Sequence, residues 1–321
     1  MNVALFVLHG LTLALAWFAC VNVAAALLVA MGARPLAALA GIRTPRFWLG
    51  LRLAPAVISI AFVAVVFLPS HWKYEPRELV EGFDLTLSVL AVAAAATIAA
   101  AAIRGVAAWR LASSRTQAWL RKAQPIALRE TSIPAFVIET DAPVMALVGV
   151  VRPRLLIARA VLDALTGEEL RAGVAHEIGH HRAWDNLKRL AICAAPDLLA
   201  ATAAARAIEG RWVSASEHDA DRRACETGPA RCALASALVK VARLTPRMTT
   251  IAEPICTLVD GGEIASRVRR LLDDGAPAAS ARRAASGRIV VALLAATLAL
   301  GYAPLLRAVH IATEVLVHTL P

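Results

Sequence analysis

Two of the eight histidines in this 321-residue chain, His176 and His180, stand four apart in the run Val174-Ala175-His176-Glu177-Ile178-Gly179-His180-His181. On a helix this spacing puts both imidazoles on one face, one turn above the other. Two histidines so placed can bind one zinc ion. Glu177 lies beside the first of them and outside the ligand set, where it can take a proton from a zinc-activated water. Thr166 can cap this helix, and Glu169, three residues on, completes a capping box. Gly179 costs about 1 kcal/mol in a helix interior, but it lets another backbone come close to the metal face. His181 projects about 100° away from His180 and reads as an outer-face residue, not a ligand.

A catalytic zinc needs a third protein ligand and an open fourth position. The run Ser214-Ala215-Ser216-Glu217-His218-Asp219-Ala220-Asp221-Arg222-Arg223-Ala224 reads as a second helix, stopped by Gly228-Pro229. Glu217 and Asp221 share a face of it. Glu217 fits the third ligand, and Asp221 can accept a hydrogen bond from a ligand imidazole and fix its tautomer. The plain alternatives are a surface helix with incidental histidines and a solvated charged face. The presence of both helices favours a zinc site.

The elements that must carry this site are apolar to an unusual degree. Hydrophobic residues make up 59% of the chain and only 18% are charged; the mean hydropathy is +0.62. A single soluble globule is excluded as the default. Val3 to Met31, Leu53 to Leu68, Leu85 to Ile103 and Ile289 to Leu306 read as four membrane spans. The first lacks the basic start of a signal peptide and is too long for one. The second reaches full length if Arg52 snorkels to the interface. Phe47, Trp48, Trp72, Tyr74 and Trp109 flank the second and third stretches as interfacial aromatics do. Buried helices of a soluble protein are the competing reading for those two stretches.

The predicted division is three spans in 1–110, a soluble block in 111–275, a linker in 276–288, and a fourth span with a short tail in 289–321. Arg34, Arg43, Arg46 and Arg52 crowd the first loop, while Glu75, Glu78, Glu81 and Asp84 oppose Lys73 and Arg77 in the second. Residues 104–288 hold 27 of the 34 basic and 19 of the 24 acidic residues. The positive-inside bias then places the polar block in the cytoplasm and both termini outside. The net charge of +10 is explained by topology and by contact with the lipid bilayer. Without a helix-turn-helix pattern or zinc-finger cysteine pairs, direct nucleic-acid binding is not expected. Five cysteines without a CxxC read as reduced, packed thiols. Phe136 to Glu139 and Val144 to Val151 read as strands joined by a turn at Asp141-Ala142-Pro143. An open strand edge beside the zinc helix would hold an extended peptide.

Several motifs together resemble the integral-membrane zinc metallopeptidases of the M56 family, the antibiotic-sensing BlaR and MecR type, and their M48 relatives of the HtpX and Ste24 type. They are Gly149-Val150-Val151-Arg152-Pro153-Arg154-Leu155-Leu156-Ile157, Glu168-Glu169-Leu170 leading into the His176 helix, Trp184-Asp185-Asn186, the Glu217 helix, and Ser266-Arg267-Val268-Arg269-Arg270-Leu271-Leu272. M48 relatives usually carry a His-Pro pair shortly before that last run. Asp260-Gly261-Gly262-Glu263 stands there instead, which favours M56. After the fourth stretch only a short tail follows, so β-lactam sensing by an external domain is not expected.

The resemblance implies a mainly α protein: four transmembrane helices and a cytoplasmic, zincin-like (gluzincin) α+β protease domain, set in a bacterial cell membrane. It implies one Zn2+ per chain on His176, His180 and Glu217, with Glu177 as general base. Many gluzincins add a His or Tyr for the oxyanion; neither occurs in the block after His218, which leaves Arg267 as the cationic candidate. The implied activity is endoproteolysis of a cytoplasmic or juxtamembrane protein, with signalling to a transcriptional repressor as the M56-like role. The alternatives are an M48-like quality-control protease and a zinc-dependent transducer or scaffold. An intact Glu177 disfavours the last.

Overall fold

The computed structural model describes residues 3–38, 44–75, 85–140, 142–150, 152–225, 228–244, 264–273 and 301–317. Long apolar runs with few charged residues, none of them acidic, form the long helices. Helix α1 covers Val3–Ala38. Helix α2, Pro45–Ala61, starts on a proline, whose missing N–H costs nothing at a helix start. It runs through a π-helical turn, Phe62–Phe67, into α3, Leu68–Tyr74, and α4 covers Leu85–Leu120. The segments Ala4–Ala33, Pro45–Tyr74 and Leu85–Leu120 are long and apolar enough to cross a membrane. They pack through small residues, Ala14, Ala16, Ala91 and Ala94 among them, which let helix backbones approach closely. Leu28, Val57, Ile60 and Val92 point outward, as expected of faces covered by lipid.

After Leu120 the pattern shortens to strands: β1 (Gln124–Ile126), β2 (Ala135–Ile138), β3 (Met145–Val148) and β4 (Arg154–Ala158), ordered β1-β2-β4-β3. The two expected strands are present as β2 and β3, but they do not form a hairpin. Strand β4, apolar after Arg154, lies between them, parallel to β2 and antiparallel to β3. Leu155, Leu156, Ile157 and Ala158 are all buried, as suits a central strand covered on both faces. Gly149, at φ +91°, turns the chain back so that β3 pairs with β4; a Cβ there would lie 2.6 Å from the Arg152 carbonyl oxygen.

The rest is helical: α5 (Arg159–Ala164), α6 (Gly167–Arg182), α7 (Asp185–Cys193), a 3₁₀ turn (Leu198–Ala201), α8 (Ala203–Ala224), α9 (Gly228–Leu244) and α10 (Ile264–Leu272). A last helix, α11, covers 301–317. Of the expected fourth span, residues 289–300 lie outside the described residues, as do the linker 276–288, Asp260 to Glu263 and Cys256. In the stretch after Leu306, expected as a short tail, α11 continues as far as residue 317 and packs on the bundle. Ser70 Oγ donates to the Leu306 carbonyl (2.7 Å), Tyr302 to the Val65 carbonyl (2.7 Å) and Trp17 Nε1 to Thr313 Oγ1 (3.1 Å). Among the described residues Cys20, Cys193, Cys225 and Cys232 are free thiols.

The sheet and the helices that follow it are pinned to the apolar helices through the segment after α7. Asn22 on α1 donates to the Pro196 carbonyl (3.1 Å) and accepts from the Leu198 N–H (3.1 Å); Arg104 on α4 donates to the Ala195 carbonyl (3.0 Å). Arg52 does not snorkel. Its guanidinium is buried and bonds Asp197 at 2.9 Å and Glu209 at 2.5 Å, because two carboxylates of the α7–α8 region reach it inside the bundle. Trp48 is not interfacial either: it turns inward with Ile208 and Trp212 of α8, while Trp72 and Trp109 stay exposed.

Candidate metal centre

Helix α6 begins as its sequence requires. Thr166 Oγ1 accepts from the Glu169 N–H and Glu169 Oε2 accepts from the Thr166 N–H, so the capping box is complete. Glu169 also accepts from Ser236 and Lys240 of α9, which fixes α6 in rotation against the next helix. Burial would raise the Glu169 carboxyl; the bonds from Lys240, Thr166 and Ser236 instead hold it at about 2.

The rotation brings His176 and His180 to face α8. At the crossing, a Cβ on Gly179 would stand 3.3 Å from Ala220 Cα, so glycine lets the two backbones meet. Glu217 of α8 then comes between the two rings. His176 Nε2 and His180 Nε2 are 3.1 Å apart, His176 Nε2 to Glu217 Oε2 is 3.4 Å, and His180 Nε2 to Glu217 Oε1 is 3.3 Å. Ligands about 2.1 Å from a tetrahedral zinc stand roughly 3.4 Å from one another. The separations, taken to one or the other Glu217 oxygen, are close to that length, and one ligand atom from each of the three residues lies within 4.8 Å of the others, a possible metal-ligand group.

The outer nitrogens explain why the inner ones face each other. His180 Nδ1 lies 2.8 Å from Asp185 Oδ2, and His176 Nδ1 lies 3.0 Å from Asp221 Oδ1, although off the line of a good hydrogen bond. With protons on the Nδ1 atoms, both Nε2 atoms carry lone pairs toward one point. Two lone pairs at 3.1 Å repel unless a cation sits between them. The charge count agrees. Among the described residues, Glu177, Asp185, Glu217 and Asp221 are all buried, and the Arg267 guanidinium and the partly exposed Lys188 pair with them. When all four are ionised, two negative charges remain, which one divalent ion would offset. The residues present fit zinc.

Glu177 is fully buried. Its Oε2 accepts from the Leu147 N–H (3.0 Å), while Oε1 has no hydrogen-bond partner. Burial pushes its carboxyl up, toward the range that suits a general base. Burial would also raise Asp185, but His180, Ser216 and Lys188 hold it at about 2. Asp221 is likewise held at about 2 against burial, by His176 and Arg267.

Arg267 is not a solvated surface residue. It is buried, with Nε 2.9 Å from Asp221 Oδ2, one terminal nitrogen 2.6 Å from Asp221 Oδ1 and the other 2.9 Å from Glu217 Oε2. It thus braces Glu217 and Asp221 of α8. His181 stacks loosely near Trp184 and lies outside the ligand group.

The sequence reasoning missed the role of Asp185. Trp184 adopts a left-handed conformation (φ 59°) between α6 and α7, and that sharp turn returns Asp185 to His180. Ser216 Oγ donates to the same carboxylate (2.7 Å), as does Lys188 (3.0 Å). Asn186 donates to the Leu147 carbonyl (2.9 Å). The signal was an acid five residues after the second histidine, directly behind a chain reversal. β3 is the sheet edge beside α6, but at Leu147 both main-chain groups are already engaged, by Glu177 and Asn186. A cleft of about 690 Å³ opens further along this edge, between α4 (Trp109, Ala112, Thr116) and Gly149, Arg152 and Asn186.

A family model described as Peptidase family M48 matches residues 112–216. The relationship is to M48-type peptidases. The matched stretch holds the sheet, His176, Glu177, His180 and Asp185, and stops one residue before Glu217. M48 peptidases are zinc metalloproteases, so the match points to a metallopeptidase. Among curated proteins, none matches the chain.

Proposed function

We propose that this chain is a membrane-embedded zinc endopeptidase that cuts a cytoplasmic or juxtamembrane protein. The observation that carries the reading is the convergence of His176, His180 and Glu217 at tetrahedral spacing with Glu177 alongside. His176 Nε2, His180 Nε2 and a Glu217 oxygen would hold the zinc. When bound, zinc supplies a Lewis acid for the scissile carbonyl. Glu177 Oε1, the unpartnered oxygen, takes a proton from the attacking water and returns it to the leaving amine. Asp185 and Asp221 orient the two imidazoles. Arg267 positions Glu217 through its ion pair with that carboxylate and its fork on Asp221, a role more consistent with its contacts than direct oxyanion binding.

The cleft between α4 and the β3 edge has one wall from a membrane helix and one from the sheet. It suits an extended segment that emerges from the membrane. A quality-control role, removing damaged membrane proteins, is favoured by the match to M48. The repressor-signalling role rests on the motifs shared with M56. A Glu177→Gln variant that keeps its zinc should hold substrates uncut, and mass spectrometry of the captured proteins distinguishes these roles. Misfolded membrane proteins of many kinds support quality control, and one soluble repressor supports signalling. Release of cut fragments by the variant would count against Glu177 as the base.

A further inference from the structure

A second cluster of metal-ligating side chains lies at the other end of the apolar bundle. The nineteen positions from Arg52 to His71 along α2 and α3 span roughly 28 Å at 1.5 Å per residue, close to the thickness of a bilayer core. Arg52 is tied to the peptidase block, and His71 stands at the far end of the same rod.

There, two helices each present a histidine and a glutamate four residues apart: His71 and Glu75 at the end of α3, His310 and Glu314 on α11. Glu75 Oε2 lies 3.6 Å from His71 Nδ1 and 3.7 Å from His310 Nδ1. Ligand atoms of Glu75, His310 and Glu314 all fall within 4.8 Å of one another. Glu75, His310 and Glu314 are half-buried. His71 is 6% exposed, and neither of its ring nitrogens makes a hydrogen bond. Its ring is held between Phe6 and Phe67, with centroids 4.9 and 5.7 Å away. Gly10 closes off Nε2, since a Cβ there would lie 2.7 Å from that atom. Nδ1 is left pointing at Glu75. Tyr74 stacks on the His310 ring at 5.7 Å and limits its rotation.

A buried imidazole with an unmet nitrogen is costly, and here it is aimed at a carboxylate shared with a second imidazole. We propose that this cluster is a second metal site, in which Glu75, His310 and Glu314 bind a divalent first-row transition ion of the zinc class and His71 Nδ1 orients Glu75. Imidazole mixed with carboxylate suits such an ion better than calcium or magnesium, which take oxygen ligands alone. The bound ion ties α11 to α3. The site shares no residue with the centre on α6 and α8 and stands whether or not the chain is a peptidase.

The test uses the full chain in detergent, stripped with chelator, titrated with Zn2+ and desalted, with bound zinc measured by mass spectrometry. Wild type should hold two zinc ions per chain, and His180→Ala should hold one. Glu75→Gln, which keeps the side chain's size, should also hold one, as should the double variant His310→Ala with Glu314→Gln. Co2+ titrated into His180→Ala should give visible d–d absorption, and adding Glu75→Gln should weaken that binding at least tenfold. No zinc in His180→Ala, or the wild-type zinc count retained in Glu75→Gln, would overturn the site and leave an ion-paired cluster without metal.

Discussion

Asp185→Asn isolates the support of one zinc ligand without touching any ligand. Asp185 Oδ2 lies 2.8 Å from His180 Nδ1 and 2.7 Å from Ser216 Oγ, and Oδ1 is 3.0 Å from Lys188 Nζ. An asparagine oxygen can still accept from His180 and Ser216, so the ring keeps its orientation. Its NH2 then faces the Lys188 ammonium, which is partly exposed and can turn to water at little cost. What is lost is the negative charge behind the imidazole, and with it the basicity of Nε2. Loss of such outer partners typically weakens metal binding 10 to 100-fold, about 1.4 to 2.7 kcal/mol. Asp185→Ala should cost more, because the Ser216 hydroxyl is left buried without its acceptor, an added penalty of about 1–3 kcal/mol in folding stability. Zinc affinity is read by competition with a chromophoric chelator and stability by thermal unfolding in the same detergent. If Asp185→Asn bound zinc within twofold of wild type, the proposed orientation of His180 through Asp185 would be wrong.

Asp221→Asn should give a similarly graded loss, about 10 to 100-fold in zinc affinity or cleavage, since Asp221 touches both His176 and Arg267; a silent variant would leave α8 contributing Glu217 alone. Asp197→Ala strands the buried Arg52 beside Glu209 and should destabilise the fold by about 3–5 kcal/mol in thermal unfolding; a shift under about 1 kcal/mol would show that the α7–α8 segment is not held by this pair. Glu169 is held at about 2, below its ordinary value near 4.5, so its stabilising effect is full above pH 4.5 and disappears as pH falls toward 2. Lys240→Ala removes part of that effect, so the stability gap between variant and wild type should be widest near neutrality and close in acid; a gap independent of pH would contradict it.

The chemistry was legible in short-range spacing, because i, i+4 pairs on a helix fix which side chains share a face before any tertiary contact is known. The capping box at Thr166 and Glu169 is likewise local and was read directly, and Gly179 marked where another backbone could come close, although that backbone, at Ala220, lies on α8. What was not legible depends on contacts distant in sequence. A central β4 cannot be inferred from β2 and β3, since strand order is set by which apolar run can be buried on both faces. The membrane-flank reading placed Arg52 and Trp48 at an interface, but Asp197 and Trp212, some 150 residues later, draw both inward. The acid behind His180 was hidden because its approach depends on a left-handed Trp184, a conformation that no propensity would assign to tryptophan.

The central claim is that Glu177 moves the proton in a reaction centred on His176, His180 and Glu217. Its most direct measurement is the cleavage rate of Glu177→Gln against wild type on an unstructured protein such as casein, at matched zinc occupancy. The expected result is unchanged zinc and a rate lower by about 10² to 10⁴. A variant with full zinc and a wild-type rate would contradict the account.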